Sequence, residues 1–192
     1  VKLVLATRNP HKVRELNRLL GSPVALGPLP ATVALPPEDG ETFHDNATLK
    51  ARAAAEALGA PCLADDSGIE AQALGGAPGV RSARYAGPRA TDAQNLAKLL
   101  HEVPAGSPLA YVCVLVYWDP VSGVTRAFEG RCTGRRARRA QGEDGFGYDP
   151  AFVPDEVGDG RTMAELTPAE KDAISHRGRA ARELAAWLAS AG

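Results

Sequence analysis

The chain has 192 residues, and its 22 basic and 23 acidic side chains leave a net charge of −1. That length suits one good core or one fold with two lobes, while the near-zero charge offers no global attraction to polymeric nucleic acid or to a membrane surface. No apolar stretch approaches the ~18 residues of a membrane span and no signal peptide opens the chain, so a cytoplasmic protein is expected.

Residues 1–6 are apolar and partly β-branched and read as a first strand. In the following Thr7-Arg8-Asn9-Pro10-His11-Lys12, Asn9 is placed to cap a helix and Pro10 to occupy its first position. Val13, Leu16, Leu19 and Leu20 then form an apolar helical face that Gly21 ends. Backbone N–H groups at such a helix start suit an anion, and Lys12 adds a point charge. The alternative is a capped helix with solvated ends, and the absence of GxxxxGK excludes a Walker loop. Lysine is scarce here, five of the 22 basic residues, and three of the five recur below (Lys12, Lys50 and Lys171). The Pro-rich 24–37 region reads as a short strand and an irregular connection. An acidic turn, Glu38-Asp39-Gly40-Glu41, precedes a helix with a Thr42/Asp45 capping box and a Gly59 stop. Lys50 falls on that helix's apolar stripe, where snorkelling is the usual explanation. Glu38 matters only if the fold brings it opposite Asp66.

Cys62-Leu63-Ala64-Asp65-Asp66-Ser67-Gly68 is an apolar run that ends in two carboxylates. It reads as a buried strand that delivers its acids to the sheet's carboxyl edge, followed by a turn and a second short strand over 69–74. Adjacent strand side chains point to opposite faces, so Asp65 and Asp66 are expected to do different jobs. Residues 75–79 form a loop, and Thr91 with Gln94 caps a helix that Pro104 ends. The 109–118 run is apolar nearly throughout, as befits a central strand covered on both faces, and a turn at 119–123 folds it into a hairpin with 124–128. Arg131, Arg135, Arg136, Arg138 and Arg139 have no interleaved aromatics and read as a solvated face rather than an RNA site. In the loop around Gly145-Phe146-Gly147-Tyr148-Asp149-Pro150, the aromatics either stack on a planar base or pack back on the core. Thr167 and Glu170 box the start of a short helix carrying Lys171. Ser175-His176-Arg177-Gly178 interrupts it before a last helix that faces the core through Ala181, Leu184 and Leu188. Cys62, Cys113 and Cys132 form no CxxC pair and read as reduced, buried thiols; zinc is not expected.

Five separated segments, ATRNPHK, EDGETFHDNATLKA, ADDSG, GFGYDP and ELTPAEKDAISHRG, together resemble the inosine triphosphate pyrophosphatase family, enzymes that hydrolyse deaminated purine nucleoside triphosphates. The resemblance runs from the first strand to the last helix. It implies a mixed α/β fold: a central sheet flanked by helices, in one domain over 1–192 whose two lobes hold an active-site cleft between them. A homodimer is implied by the resemblance alone. Carried over by position, Thr7, Arg8, Asn9 and Lys12 match the phosphate-binding turn, and Glu38 matches a magnesium-linked glutamate. Asp39 stands where threonine is expected in relatives, which leaves the metal assignment between Glu38 and Glu41 open. Asp66 matches a metal-linked general base and Ser67 a substrate contact. Phe146, Gly147, Tyr148 and Asp149 match the base-binding loop, and Lys171, His176 and Arg177 the remaining substrate contacts.

The chemistry is coherent with that resemblance. Lys12, Lys50, Lys171, Arg177 and helix N-termini answer the charge of a triphosphate, and the hard oxygens of Glu38 and Asp66 suit Mg²⁺. The expected reaction is Mg²⁺-dependent attack at the α-phosphate of inosine, deoxyinosine or xanthosine triphosphate, with release of the monophosphate and pyrophosphate. Donors facing purine position 6, with His176 and Arg177 as candidates, accept the O6 of hypoxanthine or xanthine but oppose the amino group of adenine. Two rivals stand beside this reading. An aspartyl phosphomonoesterase wants two aspartates separated by one residue, whereas Asp65 and Asp66 are adjacent. The other is a nucleotide sensor without catalysis.

Overall fold

The computed structural model describes residues 1–22 and 24–190. In chain order it contains β1 (Lys2–Leu5), α1 (Pro10–Leu20), β2 (Ala25–Pro28), α2 (Phe43–Leu58), β3 (Cys62–Ala71), α3 (Asp92–Glu102), β4 (Pro108–Trp118), β5 (Thr125–Arg136), β6 (Phe152–Pro154), α4 (Pro168–Ile174) and α5 (His176–Ser190). The strands form one six-stranded sheet in the order β2-β1-β3-β4-β5-β6. β1 runs parallel to both neighbours, and β5 pairs antiparallel with β6, so the sheet is mixed.

The helix boundaries follow the capping chemistry. Asn9 caps α1 through its side chain, and Gly21 closes it. Thr42 with Asp45, Thr91 with Gln94 and Thr167 with Glu170 form reciprocal capping boxes at α2, α3 and α4. Gly59 ends α2 in the left-handed conformation that glycine adopts without strain.

Two strand boundaries differ from the sequence reading. β3 does not stop at its acids but runs on through Asp65, Asp66, Ser67 and Gly68 to Ala71, and 72–74 is a 3₁₀ turn rather than strand. Asp and Ser are poor strand formers by propensity, but both carboxylates have charged partners here, which outweighs that preference. β5 likewise continues through Arg131, Arg135 and Arg136, with Phe128, Gly130, Cys132 and Gly134 buried between exposed residues. The arginine run is therefore half strand. Arg136 donates to the carbonyls of Leu100 and Val103 at the end of α3, which is a structural bond rather than a solvated charge.

The chain divides into two compact units. Unit 1 comprises Val1–Asp66, Cys113–Gly130 and Arg177–Gly192, and unit 2 comprises Ser67–Val112 and Arg131–His176. Each has its own apolar core. In unit 1, Leu3, Leu5, Leu16, Leu63, Leu115, Ala181 and Leu184 pack together, with Trp187 edge-on to Tyr117 at 5.0 Å. In unit 2, Ile69, Leu99, Leu109, Tyr111, Phe152, Met163 and Leu166 do so. Both cores have the amphipathic pattern from which the helices and strands were read. No helix among the described residues is long and apolar enough to cross a membrane.

Candidate active site

Unit 1 holds two adjacent charge clusters, one on each carboxylate of β3. The parallel ladder between β1 and β3 pairs Val4 with Cys62 and Leu5 with Leu63, and the N–H of Ala6 still reaches the carbonyl of Leu63 at 2.7 Å. β1 ends there, so Asp65 and Asp66 lie just beyond the strand that would otherwise flank them.

Asp65 is fully buried. Its Oδ2 accepts from Arg177 Nε at 2.9 Å and from the Cys113 thiol at 3.2 Å, and its Oδ1 is ion-paired with Lys12. Arg177 also donates to Glu15 Oε2 at 2.5 Å. Arg177 thus bridges the Asp65 and Glu15 carboxylates. Burial alone would raise the Asp65 carboxyl, but Arg177 and Lys12 outweigh it and hold the group well below the usual carboxylate range. The Cys113 thiol is pushed up by burial first and by Asp65 second, which keeps it protonated as a donor.

Asp66 belongs to the second cluster. Lys50 Nζ donates to Asp66 Oδ1 at 3.2 Å, to the Asp65 carbonyl at 2.8 Å, and to Glu38 Oε1. Lys50 is 5% exposed and does not snorkel; its ammonium is held inside by two carboxylates and a carbonyl. Burial lowers its proton affinity, but Asp66 and Glu38 more than compensate, so it stays an ammonium. Glu38 is brought to Asp66 through this shared lysine. Gly40 allows the approach: a Cβ there would stand 2.7 Å from Asn46 Oδ1, the atom that accepts the Gly40 N–H at 2.8 Å.

Lys50 is shared by both carboxylates. Asp66 Oδ2 is buried without a hydrogen-bond partner among the described residues. Burial pushes the Asp66 carboxyl up, Glu38 adds to this, and Lys50 and Lys12 oppose without cancelling it. A raised carboxyl beside an open oxygen is a better proton acceptor near neutral pH than an ordinary aspartate. Among the described residues, no group of three or more His, Cys, Asp or Glu side chains is arranged to hold a metal ion.

Other residues singled out in unit 1 have structural partners. Asn9 Oδ1 accepts the N–H groups of His11 and Lys12, so the start of α1 is capped by its own residue. Thr7 Oγ1 accepts the Asn9 N–H at 3.1 Å. Arg8 donates to the carbonyls of Leu29 (2.9 Å), Pro30 (3.0 Å) and Val33 (2.6 Å), tying down the Pro-rich connection. Lys12 and Arg177, expected to meet a substrate, are paired with Asp65.

Unit 2 gathers the remaining candidates. The Asp149 carboxylate accepts from Lys171 Nζ (2.8 Å), the Phe146 N–H (3.0 Å) and the Tyr111 hydroxyl (3.1 Å). Lys171 Nζ also lies 5.1 Å from the centre of the half-exposed Phe146 ring. Tyr148 packs back into the core, its hydroxyl donating to the Ser82 carbonyl at 2.6 Å. The two aromatics of this loop thus take opposite roles. Gly147 donates its N–H to Asp92 at 3.1 Å, and Ser67 is half-buried on β3. His176, at the first turn of α5, stacks on Tyr111 with ring centres 4.6 Å apart and planes 9° apart. Glu15 and Tyr111 take part in these clusters although neither stands in a chemistry-bearing motif. The one available signal for Glu15 was an acid on the core-facing side of α1, three residues after Lys12.

Residues 3–187 match the sequence model of the Ham1 family. The chain belongs to the Ham1 family. Curated relatives include the "dITP/XTP pyrophosphatase" of Salmonella typhimurium, 51% identical over 195 residues that cover 95% of each chain. The protein of that name from Erwinia tasmaniensis is 49% identical, covering 93% of this chain and 90% of its own. Among solved structures, a HAM1 protein from Coxiella burnetii superposes with a TM-score of 0.88 at 39% identity, covering 99% of each chain. A nucleoside-triphosphatase, dITP/XTP pyrophosphatase, from Mycobacterium abscessus does so with a TM-score of 0.75 at 46% identity, over 98% of this chain and 99% of its own. Both likenesses span nearly the whole Ham1 fold described above.

Proposed function

We propose that the protein hydrolyses deaminated purine nucleoside triphosphates (inosine, deoxyinosine and xanthosine triphosphate) to the nucleoside monophosphate and pyrophosphate, removing them from the nucleotide pool. The observation that carries the reading is the Glu38–Lys50–Asp66 cluster: two partly buried carboxylates joined by one lysine, with an Asp66 oxygen that has no hydrogen-bond partner among the described residues, in a chain whose relatives bear the name dITP/XTP pyrophosphatase.

Asp66 Oδ2 would accept the proton of the attacking water, helped by a carboxyl raised by its burial. Lys50 would hold Asp66 and Glu38 in register and keep its charge near the phosphates. The open Asp66 oxygen and the hard donor chemistry fit Mg²⁺, which takes one or two carboxylates plus substrate phosphates and keeps several waters. Glu38 and Asp66 would hold it, with Glu41 the alternative to Glu38. When bound, the ion supplies charge neutralisation at the phosphoanhydride and a water of lowered pKa. In unit 2, Phe146 offers a ring face to a planar base, while Lys171 and His176 bring donors that favour a 6-oxo purine. Arg177 and Lys12, already paired with Asp65, would act by fixing that carboxylate unless substrate draws them away.

Product analysis with inosine, xanthosine, adenosine and guanosine triphosphates in the presence of Mg²⁺ tests the reading. Pyrophosphate and monophosphate from the first two only are expected, and chelation of the metal should stop both. Orthophosphate as product, or equal turnover of ATP, would overturn it.

A further inference from the structure

Four of the unit 2 candidates, Phe146, Lys171, Asp149 and His176, are joined in one chain of contacts through a residue that no motif contains. Phe146 faces the Lys171 ammonium, Lys171 is bound to Asp149, Asp149 accepts from the Tyr111 hydroxyl, and the Tyr111 ring is stacked on His176. Tyr111 is itself 6% exposed on β4 and is held from behind by Phe152, whose ring centre lies 4.5 Å away. The side chain therefore has no freedom of its own, and it passes that rigidity to two partners by two different atoms. Its hydroxyl fixes the Asp149 carboxylate, which in turn fixes Lys171 and the Phe146 backbone. Its ring face sets the plane of the His176 imidazole.

We propose that Tyr111 is a positioning residue for purine selectivity: it aligns the Lys171 ammonium and the His176 ring so that both present donors to a 6-oxo base. The inference rests on the functional reading above. Discrimination between a 6-oxo and a 6-amino purine depends on donors that cannot turn away from a mismatched group, because a donor free to rotate escapes the penalty of being left unpaired. A rigid aromatic with both a hydrogen bond and a stacking face supplies that constraint, and neither function needs contact with the substrate.

Tyr111→Phe keeps the ring and removes only the hydroxyl, while Tyr111→Leu removes both. For Tyr111→Phe, KM for dITP should rise about tenfold, as the released Asp149 and Lys171 lose their alignment toward the base, with kcat within about twofold. ATP turnover should be unchanged, so the dITP-to-ATP ratio of kcat/KM falls. In Tyr111→Leu, which also frees His176, the ratio should fall further. Thermal melting of each variant separates misfolding from misalignment. A wild-type enzyme that is active and base-selective, with a Tyr111→Phe ratio unchanged or with kcat reduced equally for every nucleotide, would overturn this role and leave the functional reading standing. A wild type that shows no preference for dITP would overturn both.

Discussion

Asp65 and Asp66 are neighbours in sequence, yet strand geometry sends them to different partners and the partners set opposite chemistry. Asp65 meets Arg177, Lys12 and the Cys113 thiol and is held ionised well below the usual range. Asp66 is bonded to Lys50, keeps an oxygen without a hydrogen-bond partner among the described residues, and is raised by its burial against the opposing pull of Lys50 and Lys12. The first is the chemistry of a structural ion pair and the second that of a proton acceptor. Asp65→Asn retains the shape but sets an amide against the buried Arg177 and the half-buried Lys12. Removing one partner of a buried pair costs about 3–5 kcal/mol because the remaining charge stays uncompensated. Urea unfolding should show a loss of that size, with the midpoint shifted and the slope unchanged. A loss below ~1 kcal/mol would mean that Arg177 and Lys12 find other partners.

The helices were the easiest elements to read, because the starts of α1 to α4 are written in local chemistry. Asn9-Pro10, Thr42/Asp45, Thr91/Gln94 and Thr167/Glu170 all cap where their spacing indicates. The strand ends were harder. An Asp-Asp-Ser-Gly run looks like a turn unless one knows that Arg177, 112 positions away, will pair with its first acid. Long-range pairing overrides local propensity there, and single-sequence reasoning has no access to it. The same limit hid the extension of β5, whose arginines alternate with small buried residues. At α4 the cap also has a pH signature. Glu170 takes hydrogen bonds from Arg161 first and from Thr167 next, which draw its pKa from an ordinary 4.5 down to about 2. A carboxyl depressed by folding stabilises the folded state above its unfolded pKa, and that contribution disappears as pH falls through the folded value. NMR titration should place the Glu170 midpoint near 2, with the α4 amides losing protection between about pH 4.5 and 2. A midpoint near 4.5 would show the cap to be open in solution.

Across the whole molecule, the residues that bear chemistry were legible as five scattered segments, and the sheet order explains why they were scattered. β1 and β3 are neighbours although α1, β2 and α2 separate them in sequence, and that adjacency sets the end of β1 beside the acids of β3. What the segments did not disclose was which charged groups were already answered. Arg8, Lys12 and Arg177 look like substrate-binding cations in sequence, but each has carbonyl or carboxylate partners within the fold. Tyr111 and Glu15 lie outside the chemistry-bearing motifs and emerge only from packing. In unit 1 the two acids differ in their partners: Asp65 pairs with Arg177 and Lys12, while Asp66 keeps, among the described residues, an oxygen with no hydrogen-bond partner. The account stands on Asp66 as the proton acceptor of a pyrophosphatase. Pyrophosphate release from dITP with Mg²⁺, compared between wild type and Asp66→Asn, tests it most directly. Loss of a positioned general base should lower kcat at least about a hundredfold, while Asp66→Asn still folds and still binds the nucleotide. A variant that folds and retains kcat within about tenfold of wild type would contradict the account.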